Sequence, residues 1–155
     1  MNLHQTFQIA GGSTIGKDHV AIGKNNQDAI YLPERYNKAL CVVVCDGCGS
    51  QASSEVGAKV FSALIGTTIE RQLSKYANHA FLLEESKAAE FLKRVKDDVS
   101  AYMRMIAINL GDSLSSVVNK YFLFTTVGAI VTEEASVFFS LGDGVIFVNG
   151  ERIQI

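Results

Sequence analysis

The chain has 155 residues, of which 48% are hydrophobic and 19% are charged, and its formal net charge is −2. This length accommodates one domain, because two domains of half the size would each have a marginal core. A charge so close to zero lacks the basic excess that neutralises phosphates, which argues against a nucleic-acid-binding protein. With one proline and no low-complexity stretch, the chain is neither disordered nor collagen-like.

The N-terminus and the cysteines indicate a soluble cytoplasmic protein. The first residues lack the charged and then apolar pattern of a secretory leader. No segment approaches the ~18 uninterrupted apolar residues of a membrane span, so we expect no membrane contact. Three cysteines lie close together, and an odd number favours a reducing compartment over a disulfide framework: Cys41, Cys45 and Cys48.

The first third of the chain predicts strands at residues 6–10, 27–32 and 40–45. The third of these is apolar on both faces, which is typical of a strand buried inside a layered fold. It ends at residues 46–49, a turn whose two glycines allow backbone conformations that other residues resist.

Two helices are predicted next, at residues 53–76 and 85–109. In the first, the apolar stripe is predicted at Val56, Val60, Leu64 and Leu73. The second has firmer i, i+3, i+4, i+7 spacing and ends at Gly111. Its apolar positions are Ala88, Phe91, Leu92, Val95, Val99, Tyr102, Met103 and Ile106. This stripe favours a core-facing helix, with a coiled-coil interaction helix as the alternative.

Strands return at residues 122–131, 135–141 and 145–148. Asn149 and Gly150 then form a strong hairpin signal, with a partner strand at residues 152–155. Strands, a helix pair and further strands, without βαβ alternation, predict an α+β fold with a mostly antiparallel sheet. The hairpin has little after it to cover its free edge, so we expect a C-terminally truncated domain.

The glycine-rich residues 11–18 nearly fit a phosphate-binding loop of the form G-x-x-x-x-G-K-[ST]. That loop needs a hydroxyl after the lysine and a helix whose N-terminus faces the phosphates. Here Asp18 stands at the hydroxyl position, and residues 19–23 are too short and too broken by glycine to form that helix. A plain turn between strands is favoured over a nucleotide-binding loop.

The cysteines allow two further hypotheses. Cys45 and Cys48 form a C-x-x-C at a strand end, which would suit a dithiol redox centre, but outside a βαβ unit. With Cys41 and a fourth ligand such as His19 or His79, they could hold zinc, although Cys41 and Cys45 face a packed interior. Buried structural thiols are the favoured interpretation of Cys41 and Cys45.

Three aspartates lie at predicted strand ends, each beside a glycine or an amide: Asp28, Asp46 and Asp143. At one edge of a layered sheet, such carboxylates would form a hard oxygen site suited to Mg²⁺ or Mn²⁺. Taken singly, each is more often a turn aspartate that bonds its own backbone.

Four blocks connect these residues in order: residues 26–29 (NQDA), 43–50 (VVCDGCGS), 125–131 (TTVGAIV) and 140–144 (SLGDG). Together they resemble the metal-dependent protein phosphatases of the PPM (type 2C) family, whose blocks are E-D, V-x-D-G-H-G-G, a T-T or S-T strand and G-D-S. The spacing within residues 16–29 is similar to that of a bacterial branch. The resemblance implies a layered antiparallel β-sandwich flanked by helices, with residues 1–155 as the N-terminal portion of one catalytic domain.

The resemblance also implies a site with two metal ions, Mg²⁺ or Mn²⁺, at one end of the sandwich. Asp46 matches the metal-bridging aspartate and Gly47 would offer its carbonyl to a metal. Asp28 would act at or next to the metals, and Asp143 matches an aspartate associated with a further, weaker ion. Metal-activated water would attack a phosphoserine or phosphothreonine ester, so the implied partner is a phosphoprotein substrate.

The sequence departs from the family pattern at several places. Gln27 replaces the glutamate, and Cys48 replaces the histidine that protonates the leaving group, with an unperturbed thiol pKa of about 8.5. The phosphate-binding arginine falls on Gly23. Cys48 is therefore a catalytic candidate, as is His19 among the basic side chains that could replace the arginine: Lys17, His19 and Lys24.

The two later metal aspartates of the family lie beyond residue 155, so we expect weak metal binding and phosphatase activity close to background. The alternative function is a non-catalytic phosphatase-like remnant or regulatory module that uses its helix face for protein contact. We also expect self-association through the exposed C-terminal hairpin edge, because residues 145–148 carry no charge.

Overall fold

A computed structural model describes residues 3–34, 38–51 and 53–153. The helices are α1 (Leu3–Thr6), α2 (Lys17–Ala21), α3 (Ser54–Leu73), α4 (Glu85–Asn109) and α5 (Leu114–Tyr121), with a 3₁₀ turn at Ala80–Leu83 before α4. The strands are β1 (Asp28–Tyr31), β2 (Ala39–Gly47), β3 (Phe124–Thr132), β4 (Ser136–Leu141), β5 (Ile146–Val148) and β6 (Glu151–Ile153).

The strands form a four-stranded antiparallel sheet in the order β1-β2-β3-β4 and a separate β5–β6 hairpin. Helix α3 packs on β1 and β2, and α4 packs on α3. The α+β class and the antiparallel sheet flanked by helices are therefore confirmed. Alternate residues of β2 and β3 face the helices and form the floor of the core, among them Cys41, Val43, Cys45 and Ile130.

The prediction for α4 is confirmed in both extent and buried face. Phe91, Val95 and Val99 lie in the main core, and Leu92 and Met103 pack against it. Gly111, two residues after the helix, has a φ of +76°, a backbone conformation that glycine adopts without steric cost.

Helix α3 lies where it was predicted, but its buried face differs. Val56 and Val60 are 41% and 43% exposed, whereas Phe61 is fully buried. The helix approaches its neighbours through small residues. A Cβ on Gly57 would lie 2.3 Å from the Tyr121 carbonyl oxygen, and one on Gly66 would lie 2.0 Å from a Tyr31 ring carbon. The predicted stripe is therefore confirmed at Leu73, which is buried, and at Leu64, which packs against the core. It is wrong at Val56 and Val60, because glycines make the close contacts.

Two other expectations change. Residues 6–10 form no strand: the described N-terminus starts with α1, whose Leu3 is buried against Leu40 of β2. The burial of β2 on both faces is also incomplete, because Val44 faces away from the helices and is 44% exposed.

Helix α5 was not predicted, although Ser113 caps it by accepting a hydrogen bond from the Ser116 backbone N–H at 3.1 Å.

The Asn149–Gly150 turn is confirmed, with φ values of +53° and +85° that suit a two-residue hairpin. The hairpin strands are shorter than predicted, and residues 154 and 155 lie outside the described part. Within the described residues, no helix is long and apolar enough to cross a membrane.

Self-association through this hairpin stays a prediction. It can be tested at Phe147, because this side chain is 64% exposed on β5. We expect a concentrated sample to sediment faster than a monomer, and Phe147→Lys to reverse this because it places a charge on the strand. Ile108→Lys, at a 72% exposed position on α4, is the matched control. Analytical ultracentrifugation that shows a stable monomer at high concentration would exclude the edge contact.

Candidate metal and phosphatase site

Two of the predicted aspartates face each other across neighbouring strands. Asp28 begins β1, Asp46 lies near the end of β2, and the antiparallel register makes them direct partners. Directly opposed residues of an antiparallel pair have Cβ atoms about 4.5–5.5 Å apart, so the two carboxylates share one small region of the sheet. They lie on the face opposite to the helices, since their neighbours Ala29 and Cys45 are buried in the core.

The third aspartate is brought to the same end of the sheet by the turn after β4. Gly142 and Gly144 have φ values of +95° and +151°, which lets the turn bend sharply around Asp143. A Cβ on Gly142 would lie 2.7 Å from Cγ2 of Thr125, the residue paired with Asp46 on β3. The turn therefore lies directly against the strand beside Asp46.

The pKa of Asp46 is affected by these neighbouring groups. Its pKa is raised first by withdrawal from water, then by a hydrogen bond with Asp28 and the negative charges of Asp28 and Asp143. His19 on α2 acts in the opposite direction. Of the four predicted metal-site residues, the strand register pairs Asp28 with Asp46, and Asp143 lies near enough to act on Asp46 electrostatically, as does His19. Gly47, the fourth, is buried at the end of β2.

Asp28 is held by a hydrogen-bond network that the sequence did not reveal. Ser13 Oγ donates to Asp28 Oδ2 at 3.1 Å, and Asn26 Nδ2 donates to Ser13 Oγ at 2.8 Å. Asn26 Oδ1 in turn accepts from the Asp28 backbone N–H at 3.1 Å. The glycine-rich segment that contains Ser13 therefore supports the carboxylate cluster rather than forming a loop before a long helix. No sequence signal links Ser13 to Asp28.

The turn after Asp46 is fixed by Lys24. Its Nζ donates to the carbonyl oxygens of Gly49 at 2.5 Å and Gln51 at 3.2 Å. This ammonium is engaged with the backbone, which leaves Lys17 and His19 as the basic candidates for contact with a phosphate. His19 Nε2 lies 3.6 Å from the position that a Cβ on Gly49 would occupy, so the imidazole borders the same turn.

A comparison with known families finds a match over most of the chain. The family model described as protein phosphatase 2C matches residues 15–155. The chain belongs to the protein phosphatase 2C family. No curated protein and no solved structure matches it.

The cysteines of this phosphatase 2C domain differ sharply in environment. Cys41 and Cys45 are buried, and burial raises the pKa of both thiols, that of Cys45 to about 11. Cys48 is exposed, and its hydrogen bond with Ser50 Oγ at 3.2 Å lowers its pKa. With one thiol in the core and the other on the surface, the C-x-x-C does not assemble a dithiol centre.

The zinc hypothesis is not supported either. His79, its other proposed ligand, is buried with Nε2 3.3 Å from the Leu73 carbonyl oxygen. Cys41 lies in the core between the sheet and α3.

We expect thiol labelling to separate these sites. Under native conditions a maleimide should modify Cys48, while Cys41 and Cys45 should react only after unfolding, because the thiolate is the nucleophile and both are buried with raised pKa values. Peptide mass mapping after a short exposure measures the three rates. Equal protection of all three thiols would contradict an exposed Cys48 turn.

The donor chemistry of the cluster fits a divalent cation. Carboxylate and carbonyl oxygens are the ligands that Mg²⁺ and Mn²⁺ prefer, and both Asp28 and Asp143 contribute, after burial, to the raised pKa of Asp46. However, no group of three or more His, Cys, Asp or Glu side chains positioned to hold a metal ion occurs within the described residues. The two carboxylates that the strand register opposes are those of Asp28 and Asp46.

Proposed function

We propose that this chain is a metal-dependent protein phosphatase that hydrolyses phosphoserine and phosphothreonine esters at the carboxylate cluster. The observation that supports this most directly is the register that opposes Asp28 and Asp46, with Asp143 close enough to raise the pKa of Asp46. A divalent cation, Mg²⁺ or Mn²⁺, would supply charge neutralisation and an acidified water at such a site.

Residues of the chain would bind the cation, contact the phosphate and donate a proton to the leaving group. Asp28 and Asp46 would hold the cation, with Ser13 fixing the orientation of Asp28. His19 borders the turn after Asp46 and would contribute positive charge or a hydrogen bond to the phosphate. Cys48 is exposed on that turn, and its lowered pKa makes it a stronger acid than an ordinary thiol, as a proton donor to the leaving group requires.

This function is tested by metal titration and hydrolysis in parallel. We expect calorimetry to show Mn²⁺ binding in roughly the millimolar range, because two carboxylates are few for a divalent ion. Hydrolysis of p-nitrophenyl phosphate should be slow but dependent on Mn²⁺. Asp46→Asn should abolish both, since it removes a carboxylate from the centre of the cluster.

Asp97→Asn is the matched control, because Asp97 is an exposed carboxylate on α4 that pairs with Lys93 at 2.8 Å. It should leave both signals unchanged. A Mn²⁺-dependent rate that survives Asp46→Asn would place the chemistry elsewhere. No rate above buffer at saturating Mn²⁺ would favour the non-catalytic alternative.

A further inference from the structure

Two consecutive hydrogen bonds connect Gln27, the residue before β1, to the turn that bears Cys48. Gln27 Nε2 donates to Ser54 Oγ at 3.0 Å, and Ser54 Oγ donates to the Cys48 carbonyl oxygen at 2.8 Å. Gln27 is 3% exposed and Ser54 is fully buried. Water therefore has little access to replace either bond, and each group depends on its protein partner.

The donor and acceptor of each hydrogen bond in this series follow from the number of protons that the Ser54 hydroxyl has. A serine hydroxyl has one proton, and that of Ser54 is committed to the Cys48 carbonyl. Ser54 Oγ can therefore only accept from Gln27, which requires the NH₂ end of the amide to face it. Gln27 Oε1 is left on the other side, buried and without a hydrogen-bond partner in the described part of the chain.

A carboxylate at position 27 would reverse this order. An ionised glutamate is an acceptor only, so it would accept the hydrogen bond of the Ser54 hydroxyl and leave the Cys48 carbonyl without its donor. Glutamine can therefore donate a hydrogen bond to Ser54, whereas an ionised glutamate of nearly the same size cannot. Gln27 also accepts a hydrogen bond at its backbone oxygen from the Gly47 N–H at 3.1 Å, which brings it against the end of β2.

We propose that Ser54 is a positioning residue for the Cys48 turn, because its hydroxyl donates to the Cys48 carbonyl and sets how the turn stands beside Asp46. Gln27 preserves this bond because it donates to Ser54 and does not accept from it. Lys24 holds the carbonyls of Gly49 and Gln51 on the same turn, so the segment is fixed from two sides. A catalytic role for this position of the Cys48 turn rests on the proposed function, but the hydrogen bonds that hold the turn do not depend on it.

The test compares two substitutions of nearly equal size at position 27. At a pH that ionises the introduced carboxyl, Gln27→Glu should move the ¹³C carbonyl resonance of Cys48 upfield, as loss of a hydrogen bond does. Gln27→Met should leave that resonance in place, because Ser54 stays free to donate to Cys48. This readout is spectroscopic and independent of phosphatase activity, so its outcome is separate from that of the hydrolysis assay.

A second pair of variants tests the contact itself. Ser54→Ala should shift the Cys48 carbonyl in the same direction as Gln27→Glu. Ser62→Ala should not, because Ser62 is also buried on α3 but donates to the Lys59 carbonyl of its own helix at 3.2 Å. If Gln27→Glu does not fold, an unshifted Cys48 carbonyl in Ser54→Ala would still overturn the proposal. Equal shifts in Gln27→Glu and Gln27→Met would overturn it too, since packing alone would then explain them.

Discussion

Phe61→Ala is expected to destabilise the chain by about 3–5 kcal/mol in the free energy of unfolding, the range for aromatic truncation in a core. Phe61 is fully buried at the centre of the contact between α3 and the sheet. Its ring centroid lies 5.0 Å from that of Phe122 and 5.4 Å from that of Phe124, so the truncation removes two aromatic contacts as well as apolar area. Urea unfolding followed by far-ultraviolet circular dichroism measures the loss.

Val60→Ala is the matched control, one residue earlier on the same helix. Val60 is 43% exposed, so its truncation should cost less than about 1 kcal/mol. Alanine also has a higher helix propensity than valine, which reduces the cost further. The pair decides which face of α3 is buried: a larger loss for Val60→Ala than for Phe61→Ala would restore the valine stripe and contradict the packing described above.

Gly47→Ala is expected to be the most damaging single-methyl change at the candidate site. A Cβ there would lie 2.9 Å from the Gln27 carbonyl oxygen, 2.9 Å from Ser54 Oγ and 3.0 Å from the Ser54 carbonyl carbon. Two of these atoms belong to the backbone and cannot rotate away. We expect a loss of about 1–3 kcal/mol, the usual cost of overpacking, together with weaker Mn²⁺ binding because β1 and β2 separate at the aspartates.

Gly49→Ala provides the comparison within the same turn. Its Cβ would meet Gln27 Oε1 at 3.5 Å and His19 Nε2 at 3.6 Å, which are ordinary contacts, and Gly49 has no positive φ. Stability should change by less than about 0.5 kcal/mol, the usual range for a substitution that creates no clash. Chemical denaturation and Mn²⁺ calorimetry of both variants measure the difference. Equal losses at the two glycines would mean that the turn is sensitive to any side chain.

Helix α4 shows where the sequence is sufficient. Phe91, Val95 and Val99 recur at helical spacing with charged residues between them, and that pattern depends on the helix alone. The Asn149–Gly150 turn is equally local, because its positive φ values depend on the two residues that form it.

Helix α3 shows where periodicity is not sufficient. Hydrophobicity favours Val56 and Val60 as the buried face, yet the contacts are decided by Gly57 and Gly66, whose missing side chains admit Tyr121 and Tyr31. Small residues carry no apolar signal, so close helix packing is invisible to a pattern search. The short α5 helix was missed for a related reason, since only eight residues and one serine cap mark it.

At the candidate site, too, some residues could be predicted from the sequence and others could not. Asp28, Asp46 and Asp143 could be named because aspartates at strand ends are visible in the sequence. The register pairs Asp28 with Asp46, and the turn after β4 places Asp143 near enough to act on Asp46 electrostatically. The roles of the residues that support these aspartates and the adjoining turn could not be predicted. Ser13, Lys24 and Ser54 act on partners distant in the sequence, and a serine or lysine gives no indication of which distant carbonyl or carboxylate it will bind.

The most direct test of the metal assignment is paramagnetic broadening by Mn²⁺ in amide nuclear magnetic resonance spectra. Resonances of Asp28, Asp46 and Gly47 should broaden at the lowest Mn²⁺ concentrations, and Asp46→Asn should remove this effect while Asp97→Asn preserves it. Broadening centred on the exposed carboxylates of α4, or broadening at β1 and β2 that persists in Asp46→Asn, would contradict a metal site at the carboxylate cluster.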